Sequence, residues 1–416
     1  MNIAVSSCTP PPGGGVARTA AGKHVAASPA LRLAYAWDRL LPTTRTDAEQ
    51  ALHTMSALAR RGVTVHAVVP RAAGSLGLNA AALGRFYGVA GAFSVSHVDT
   101  IAAGLLPWRK MHHAWRVVHA AELAQADVVY TRNAAICLRA AACGLPVVYD
   151  THRAWPDQIP LTRSLFRAAM QRPNFIAALL HSAYARDSYA RLGIDPNKLH
   201  VVRNGFDPGR FAEHGSKEVL RARLGLPRRA FIATYTGHMS RMKGTLALLG
   251  LAERVPEVTF ILVGSKGRGA TEARARRLPN VRVLPWQPYA QVAQYQLAAD
   301  VLLLPLSSVP LRVAGHTVLP MKVYQYLAAG RPILAPSTPD IAEVLFDGDN
   351  ARLVPPGALD AAAQALRELM QDPALQARLA ERAKACAETL TWDARAARIE
   401  AVLQSRLSPK RPSVAV

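Results

Sequence analysis

Two lysines, each following an apolar strand pattern, are the residues of this chain with the clearest potential for chemistry. Lys243 lies in the segment 236–244 (TGHMSRMKG), between an apolar run and a helical pattern. Lys322 lies in the segment 319–332 (LPMKVYQYLAAGRP), which follows the apolar run 298–306. A lysine beside a helix N-terminus can bind a phosphate as a point charge, and the free N–H groups there add partial positive charge. Both segments therefore predict anion-binding strand–loop–helix units at the carboxyl edge of a parallel sheet.

The segment 319–332 also carries signals for both ends of a helix. Pro320 suits a first helical turn, where its missing N–H would have no partner in any case. Gly330 suits the position just past the last turn, where the backbone is commonly left-handed. The sequence therefore predicts a short helix between these residues, followed by a strand over 332–335.

Apolar runs separated by helical patterns recur along the chain. The segment 46–49 (TDAE) has the form of a capping box for a helix that ends near Gly62, and Pro70 is expected to end the strand that follows. Alternating strands and helices predict an α/β protein with a doubly wound parallel sheet in each half of the chain. The predicted strands are 31–36, 63–69, 127–130, 146–149 and 174–180 in the first half, and 231–236, 259–263, 282–284, 301–305 and 332–335 in the second.

Length and composition limit the class of protein. The chain has 416 residues, half of them apolar, which fits two domains of ordinary size. Its longest apolar runs are too short to span a membrane. The segment 10–15 (PPPGGG) predicts a disordered leader over 1–30 without a secretory signal. The spacing of Cys8, Cys137, Cys143 and Cys386 fits no metal site, which favours reduced thiols in a cytoplasmic protein.

The spacing within 319–332 resembles the donor-site signature of glycosyltransferase family 4, in which Pro-x-Lys precedes Glu-Tyr-x-Ala-x-Gly-x-Pro. The segments 204–207 (NGFD), 236–244 and 341–350 (IAEVLFDGDN) are similar to further elements of that family. The resemblance spans roughly residues 31–405 and is densest over 199–356. It implies the GT-B fold, in which two Rossmann-like domains face a central cleft.

The resemblance also implies how the chain is divided. An acceptor-side domain is expected first and a nucleotide-sugar-binding domain second, joined by a hinge at 204–207. A terminal helix should cross back to the first domain. The expected ranges are a leader at 1–30, domains at 31–205 and 206–390, the crossing helix at 391–406 and a flexible tail at 407–416.

Donor-binding roles follow from the resemblance by position. Lys243 matches the lysine that holds the donor diphosphate, whereas His238 stands where the family has arginine, and Arg241 is an alternative source of that charge. Gln325 occupies a glutamate position, and counting back eight residues to the family's other glutamate gives Thr317. An amide loses the charge-assisted bond to ribose, which implies either weaker donor binding or an inactive relative. The expected donor-binding residues are Gly237, His238, Arg241, Gly315, Thr317, Lys322 and Gln325, with Lys243 expected to be catalytic.

A histidine follows one strand of the predicted first domain. His152 comes directly after the segment 149–151 (YDT), and the family has a histidine near the transferred sugar at this point. His152 is therefore the second expected catalytic residue. The alternative is a packed or solvated histidine without a role in catalysis.

The formal net charge of +22 favours anionic partners. Nucleic acid, an anionic membrane surface and phosphorylated substrates are the candidates, and a compositional bias without any partner is the alternative. Nucleic acid is not expected, because the chain has no motif that reads bases. The basic cluster 109–116, with Trp108 and Trp115, predicts peripheral docking on the anionic inner face of a membrane.

The function that we predict is a retaining glycosyltransferase. It would move a sugar from a nucleotide-diphospho-sugar to a carbohydrate or glycolipid acceptor, such as a polysaccharide precursor. No cofactor is expected beyond this donor substrate, and no metal, because no Asp-x-Asp site suited to one is present. One alternative is a catalytically silent binding or assembly subunit, which Thr317 and Gln325 favour. Another is a different GT-B enzyme such as a sugar-nucleotide epimerase, which would need a carboxylate-rich cleft.

Overall fold

The computed structural model describes residues 30–72, 76–100, 107–123, 125–212, 214–307, 309 and 319–407. Their strands form two parallel sheets, one of seven strands and one of six. This confirms the prediction of a doubly wound parallel sheet in each half of the chain. The leader expected at 1–30 and the tail expected at 407–416 lie outside the described residues except for residue 30 and for Leu407, which ends the last helix.

The first sheet has the strand order β3-β2-β1-β4-β5-β6-β7. Its strands are β1 (Arg32–Ala36), β2 (Thr64–Ala72), β3 (Ser94–Thr100), β4 (Val128–Thr131), β5 (Val147–Thr151), β6 (Phe175–Leu180) and β7 (Leu199–Val201). Successive side chains of a strand point to opposite faces of the sheet. Because helices cover both faces of a doubly wound sheet, the side chains on both faces are apolar. The helices on these faces are α1 (Thr46–Arg60), α2 (Ala80–Tyr87), α3 (Pro107–Leu123), α4 (Ala134–Ala142), α5 (Trp155–Gln158), α6 (Arg163–Met170) and α7 (Ala183–Ala190).

The second sheet has the strand order β10-β9-β8-β11-β12-β13. Its strands are β8 (Ile232–Thr236), β9 (Thr259–Ser265), β10 (Val281–Pro285), β11 (Val301–Leu303), β12 (Ile333–Pro336) and β13 (Arg352–Val354). Its helices are α8 (Lys217–Arg223), α9 (Thr245–Arg254), α10 (Ala270–Ala275), α11 (Tyr289–Leu297), α12 (Lys322–Ala329), α13 (Leu359–Gln371) and α14 (Pro373–Ala387). In both sheets the direction of the strand order reverses beside the strand that comes first in the sequence, β1 or β8. Ligands of such sheets bind at the carboxyl edge near the reversal.

The last helix, α15 (Trp392–Leu407), belongs to the second half of the sequence but packs against the first sheet. Its residues Trp392, Ile399 and Leu403 are buried in the same apolar core as Leu52 of α1. The chain segments cross beside Gly205, where a Cβ atom would lie 2.5 Å from the backbone of residues 391 and 392. Only glycine fits such a close approach of two backbones, which gives the 204–207 turn a structural reason.

Three local predictions were wrong. The helix α1 is preceded by Arg45 as its N-cap, without a side-chain cap, so Thr46 and Glu49 form no capping box. Pro70 does not end β2, since the pairing of β2 with β1 stops at Val68 and the missing N–H of Pro70 removes no bond of that ladder. The helix α12 begins at Lys322, so Pro320 precedes it instead of lying in its first turn. Gly330 has φ 57° just past the helix, as predicted.

Within the described part of the chain, no helix is both long and apolar enough to cross a membrane.

Candidate functional site

Two lysines approach each other at the carboxyl edge of the second sheet. The Lys322 ammonium lies 3.9 Å from the ring centre of Tyr235, and a Cβ atom at Gly237 would lie 2.6 Å from Lys322 Nζ. Among the described residues, neither Lys322 nor Lys243 has an acidic partner for its ammonium. Burial and then the charge of Lys243 lower the pKa of Lys322 well below its usual range. The pair is therefore a site of unbalanced positive charge that an anion would stabilise.

The loop that carries Lys243 depends on two glycines. Gly237 has φ 138° and Gly244 has φ 72°, both in the region that favours glycine. Gly237 N donates to the carbonyl of Val263 at 2.8 Å, which holds the loop against β9. The loop then forms a single 3₁₀ turn, Arg241–Lys243, before α9 begins. Without a Cβ atom at residue 237, a ligand can reach the backbone beside the Lys322 ammonium.

His238 and Arg241 are both exposed on this loop. Desolvation, followed by the charges of Lys266 and Lys243, lowers the pKa of His238 below 6.5. In the absence of a ligand, His238 is therefore mostly neutral at pH 7 and does not replace the charge of an arginine. A bound diphosphate would act in the opposite direction by favouring the protonated form.

A cavity of about 280 Å³ lies beside this loop, at the carboxyl ends of β9 and β10. Ser265, Glu272 and Leu284 are among its lining residues. Ser265 Oγ donates to the Glu272 carboxylate at 2.8 Å and accepts from Gly267 N at 2.8 Å, so the wall of the cavity is braced by its own hydrogen bonds. Sequence reasoning missed this cavity, because none of its residues belongs to a motif that we recognised.

Gln325 lies on the same face of α12 as Lys322. Its Oε1 accepts from Gln296 Nε2 at 3.4 Å, and Gln296 Nε2 also donates to Thr236 Oγ1 at 2.9 Å. Gln296 is fully buried, and its own Oε1 has no partner among the described residues. Gln325 is therefore held beside the end of β8, half-buried, with its NH₂ group free of any hydrogen bond to the described residues.

The structure brings together Gly237, His238, Arg241, Lys243, Lys322 and Gln325 at this edge. Gly315 and Thr317, the other two residues predicted to bind the donor, lie outside the described residues.

A second group of polar residues lies at the carboxyl ends of β5 and β6 in the first sheet. The ring centre of His152 lies 5.9 Å from that of the buried His181. His181 Nε2 donates to Asp150 Oδ1 at 2.7 Å, and Asn204 Nδ2 donates to His181 Nδ1 at 3.2 Å. A carboxylate can only accept and this amide nitrogen can only donate, so the neutral Nε2–H tautomer of His181 satisfies both bonds.

Desolvation lowers the pKa values of both histidines. That of His152 lies well below its usual range, with repulsion from Arg132 as the next cause. The pKa of His181 is lowered to about 4, although Asp150 opposes the shift. His152 is therefore a neutral imidazole at pH 7, which can donate or accept a hydrogen bond at the edge of the sheet.

Asp150 is fully buried and joins four elements of the fold. Its Oδ2 accepts from Tyr130 at 2.7 Å, from Gln50 at 3.2 Å and from Arg395 of α15 at 2.7 Å. Arg395 also donates to the carbonyl of Val202 at 2.7 Å, just before the 204–207 turn. The cations around Asp150 hold its pKa well below its usual value against the opposing effect of burial. This network fixes the strand end that carries His152.

The two carboxyl edges face each other across a cleft. The pKa of Lys243, lowered first by desolvation, also responds to the charges of Arg45 and Asp47 from α1 and the loop before it. On another side of the cleft, the Glu343 carboxylate accepts from the first N–H groups of α7, Ala183 N at 2.7 Å and Tyr184 N at 2.9 Å. A carboxylate at a helix N-terminus is favoured by the helix dipole. Glu343 thus ties the second sheet to the first.

A larger cavity, of about 510 Å³, lies elsewhere in the first sheet. Arg32, Thr64 and Ser94, at the amino ends of β1, β2 and β3, line it together with His66. Ligands of parallel sheets bind at the carboxyl ends. Size alone therefore does not make this cavity the functional site, and we assign the site to the cleft.

Two families match the chain. The family described as "Glycosyltransferase Family 4" matches residues 48–210, and the family described as "Glycosyl transferases group 1" matches residues 230–372. One curated relative, D-inositol 3-phosphate glycosyltransferase of Streptomyces avermitilis, is 30% identical over 234 residues, which cover 52% of this chain and 49% of the relative. The enzyme of the same name from Xylanimonas cellulosilytica is 28% identical over 227 residues, 51% of this chain and 52% of the relative. The chain spans about half the length of the curated relatives it matches.

Solved structures resemble the chain over most of its length. Anabaena HepE in complex with UDP has a TM-score of 0.71 and 18% identity, covering 90% of this chain and 100% of that one. Sucrose-phosphate synthase from Thermosynechococcus elongatus has a TM-score of 0.72 and 14% identity, covering 90% of this chain and 98% of that one. Another structure of HepE contains UDP-glucose. At these identities the likeness establishes the fold, which is GT-B as predicted.

Proposed function

Because the chain belongs to glycosyltransferase family 4, we propose that it transfers a sugar from a nucleotide-diphospho-sugar to a carbohydrate or glycolipid acceptor with retention of configuration. The observation that carries this proposal is the pair Lys243 and Lys322. Lys322 lies beside Gly237, the charge of Lys243 acts on it, and neither lysine has an acidic partner among the described residues. Such a pair fits a diphosphate better than a neutral ligand. Retention rests on the family resemblance of the segment 319–332.

The chemical demand of the reaction falls on the leaving group. When the bond to the sugar breaks, negative charge grows on the diphosphate, and fixed cations in a desolvated site stabilise that charge. Lys243 and Lys322 would act in this way, assisted by His238 once the diphosphate has favoured its protonated form. These side chains supply the positive charge themselves, which supports a reaction that needs no divalent metal.

The base and ribose of the donor would bind next to the lysines. The 280 Å³ cavity at the ends of β9 and β10 is adjacent to Gly237 through the contact of that residue with β9, and would take the base. Gln325, whose NH₂ group is free, would bind the ribose hydroxyls through neutral hydrogen bonds.

The acceptor would bind at the first sheet. His152 directly follows β5 at the carboxyl edge of the first sheet, and we propose that it contacts the transferred sugar. The domain boundaries that fit this division are 31–205 for the acceptor side and 206–390 for the donor side. The sheet membership of the strands supports them, with β7 ending at Val201 and β8 beginning at Ile232.

A membrane-bound acceptor would suit the charge of the chain. On α3 of the first domain, Met111 and Trp115 are 50% and 54% exposed, and Arg116 beside them is exposed as well. Exposed apolar side chains beside a cation are typical of surfaces that dock on anionic lipid. We therefore propose peripheral docking through α3 for the acceptor-side domain.

A catalytically silent binding subunit is the second candidate. Gln325 favours it, because the neutral amide removes the charge-assisted ribose contact that the family's glutamate makes. Both candidates bind the donor, and only the first turns it over.

Isothermal titration with a panel of nucleotide sugars tests the proposal. We expect one nucleotide sugar to bind and to be consumed, in a transfer assay or by slow hydrolysis to water. Binding without turnover would support the silent subunit, and no binding to any member of the panel would contradict both candidates.

A further inference from the structure

A short stretch after β5 displays three large apolar side chains to solvent. Leu161 is 89% exposed, Leu165 is 55% exposed and Ile159 is 42% exposed. Leu161 lies in a single 3₁₀ turn and Leu165 in α6, which follows that turn directly. Single exposed apolar residues are ordinary on a protein surface, but a contiguous group of them marks a contact surface. We call these three residues the α6 patch.

The fold of the chain does not need the α6 patch. The inner side of α6 is buried in an apolar core of the first sheet through Phe166 and Met170. Leu165 lies on the outer side of the same helix, away from that core. Helix α6 is therefore apolar on both sides, and only a partner outside the chain would remove its outer side from water.

The charge around the α6 patch is positive. The sequence has no acidic residue between Asp157 and Asp187. Arg163 and Arg167 are exposed on α6, and their described hydrogen bonds run from Nε to backbone carbonyls. Arg172, just past the helix, is exposed as well. Apolar side chains among arginines without acidic partners in the described part of the chain are complementary to an anionic surface.

The α6 patch lies on the same side of the first sheet as the exposed residues of α3. Val117 of α3, Ile136 of α4 and Phe166 of α6 are buried in one apolar core, and α4 packs against both of the other helices. Packed helices are about 8–10 Å apart, so α3 and α6 lie roughly 20 Å from each other in one layer. Trp115 and Leu165 both belong to the outer surface of this layer, where one flat partner reaches both.

We propose that the α6 patch contacts lipid, with Leu161 and Leu165 between the headgroups of an anionic bilayer and Arg163 and Arg167 at the lipid phosphates. Docking through α3 is part of the proposed function, whereas the α6 patch rests on its own exposure and charge. Two contacts on one rigid layer fix the orientation of the first sheet relative to the bilayer. The patch begins seven positions after His152, so this orientation holds the proposed acceptor side close to the lipid.

Sedimentation with vesicles tests the apolar part of the surface. The full chain is mixed at low salt with vesicles of phosphatidylcholine, with or without phosphatidylglycerol. The double variant Leu161→Ser, Leu165→Ser should bind the anionic vesicles about tenfold more weakly, because two apolar contacts are lost. Val219→Ser, at an exposed apolar position of α8, is the matched control and should bind like the wild type.

Arginine variants test whether the charge acts locally. Arg163→Gln should weaken binding to the anionic vesicles about five-fold, because one cation near the lipid surface is lost. Arg277→Gln removes an exposed arginine of the second half and lowers the net charge equally. It should weaken binding less. Equal losses in the two variants would mean that only the net charge matters, which would contradict a contact at Arg163.

Quenching by brominated lipid reports the contact directly. Leu165→Trp adds an indole to the α6 patch, and its fluorescence should be quenched by brominated phosphatidylcholine in the anionic vesicles. Val219→Trp adds an indole on α8, where no quenching beyond that of the wild type is expected. The native tryptophans are the same in both variants, so a difference in quenching belongs to the added residue.

These outcomes separate the α6 patch from the proposed function. Unchanged binding of the double variant, or equal quenching in the two tryptophan variants, would overturn the inference even if Trp115→Ala weakens docking through α3. Loss in the double variant without loss in Trp115→Ala would support the α6 patch and contradict docking through α3. Turnover of nucleotide sugar is measured without vesicles, so its absence contradicts the transferase and leaves the lipid contact standing.

A second copy of the chain is the other occupant that such a surface could have. Sedimentation velocity without lipid decides between the two. We expect the wild type and the double variant to have the same association state. Self-association of the wild type that the double variant loses would assign the α6 patch to a second copy and overturn the lipid contact.

Discussion

Lys243 and Lys322 come from segments almost eighty residues apart in the sequence, yet the charge of Lys243, after burial, lowers the pKa of Lys322. Unpaired like charges of this kind are a cost to the folded protein, and such groups are typical of functional sites. The cost is removed when an anion binds between them. The unbalanced charge of these two residues therefore explains affinity for a diphosphate without reference to a sequence motif.

Lys243→Ala should reduce transfer roughly 10²–10³-fold, by analogy with the loss of one donor that stabilises charge in a transition state. Steady-state transfer kinetics measure this effect. Lys384→Ala, which removes an exposed lysine of α14, is the control and should leave the rate unchanged. A loss of only a few-fold in Lys243→Ala would remove this lysine from the diphosphate site.

Gln325→Glu should tighten donor binding by about 1 kcal/mol, or about five-fold, because a carboxylate makes charge-assisted bonds to ribose hydroxyls. Gln296 Nε2, at 3.4 Å, can donate to a carboxylate as well as to the amide oxygen, so the fold should tolerate the change. The effect should appear in the donor KM, since ribose contacts are similar in ground and transition states.

Gln291→Glu, an equal charge change at an exposed position of α11, serves as the control for Gln325→Glu. Weaker donor binding in Gln325→Glu would mean that the amide donates a bond that a carboxylate cannot make. The ribose role of this position would then be wrong.

At the scale of elements, α15 holds the end of β5 through one ion pair. Arg395 and Asp150 are both buried. Each therefore needs the opposite charge of the other to offset its own desolvation. The same guanidinium binds the carbonyl of Val202 before the hinge. The crossing helix therefore positions the edge that carries His152, in addition to covering the apolar core of the first sheet.

Arg395→Met should reduce the free energy of unfolding by about 3–5 kcal/mol, because a buried carboxylate loses its cation. Urea denaturation at pH 7 measures this loss. Arg398→Met, which changes an exposed arginine on the same helix, should lie within about 0.5 kcal/mol of the wild type. Equal stability of the two variants would contradict the importance of the buried pair.

The stabilisation by Asp150 should also depend on pH. Its folded-state pKa lies well below the ordinary value, so its contribution is present above the unfolded-state pKa of about 3.9 and is lost as pH falls through the folded value. In Arg395→Met the folded-state pKa rises, and acid denaturation should begin at a higher pH.

At the scale of the whole molecule, polar contacts join the two halves at Arg210, which binds Glu49 and His53 of α1, and at Glu343. Glu343 accepts from two backbone N–H groups of α7 and from Arg203 at 3.2 Å. Such a contact can be broken and solvated when the cleft opens. The strength of the Glu343 contact would then determine the fraction of molecules in which the cleft is closed.

Glu343→Ala should shift the free protein toward an open cleft, because the N–H groups of α7 lose their acceptor on the second sheet. Small-angle X-ray scattering should give a larger radius of gyration than the wild type at the same ionic strength. Glu368→Ala breaks an ion pair to Arg352, within the second half of the molecule, and is the matched control. Identical scattering curves for all three proteins would rule out a latch at Glu343.

Docking on lipid is the second prediction at this scale. The protein should sediment with anionic vesicles at low salt and be released at high salt, since the attraction of a protein of charge +22 is screened. Trp115→Ala should weaken binding more than Trp286→Ala, which removes an exposed tryptophan of the second half. Equal binding to neutral vesicles, or no binding at all, would mean that the charge excess is a compositional bias and not a sign of lipid binding.

The sequence by itself determined the two parallel sheets, the strand–loop–helix units of Lys243 and Lys322, and the left-handed end of α12 at Gly330. These features depend on local patterns: apolar runs, glycine conformation and helix ends. The wrong predictions at Thr46, Pro70 and Pro320 also concerned local features, but tertiary contacts determined the structure at these positions. Glu49, for example, forms an ion pair with Arg210 instead of capping the N-terminus of α1.

Only the tertiary structure decided which charges are balanced. Arg132 and Arg395 look alike in sequence, and both are buried. Arg395 reaches Asp150 over more than two hundred residues and donates to it at 2.7 Å, whereas Arg132 Nε lies 4.0 Å from the same carboxylate. Pairing between distant residues depends on which strands and helices are neighbours, and no local pattern encodes that. The Glu343 contact and the buried support of His152 could therefore emerge only from the folded chain.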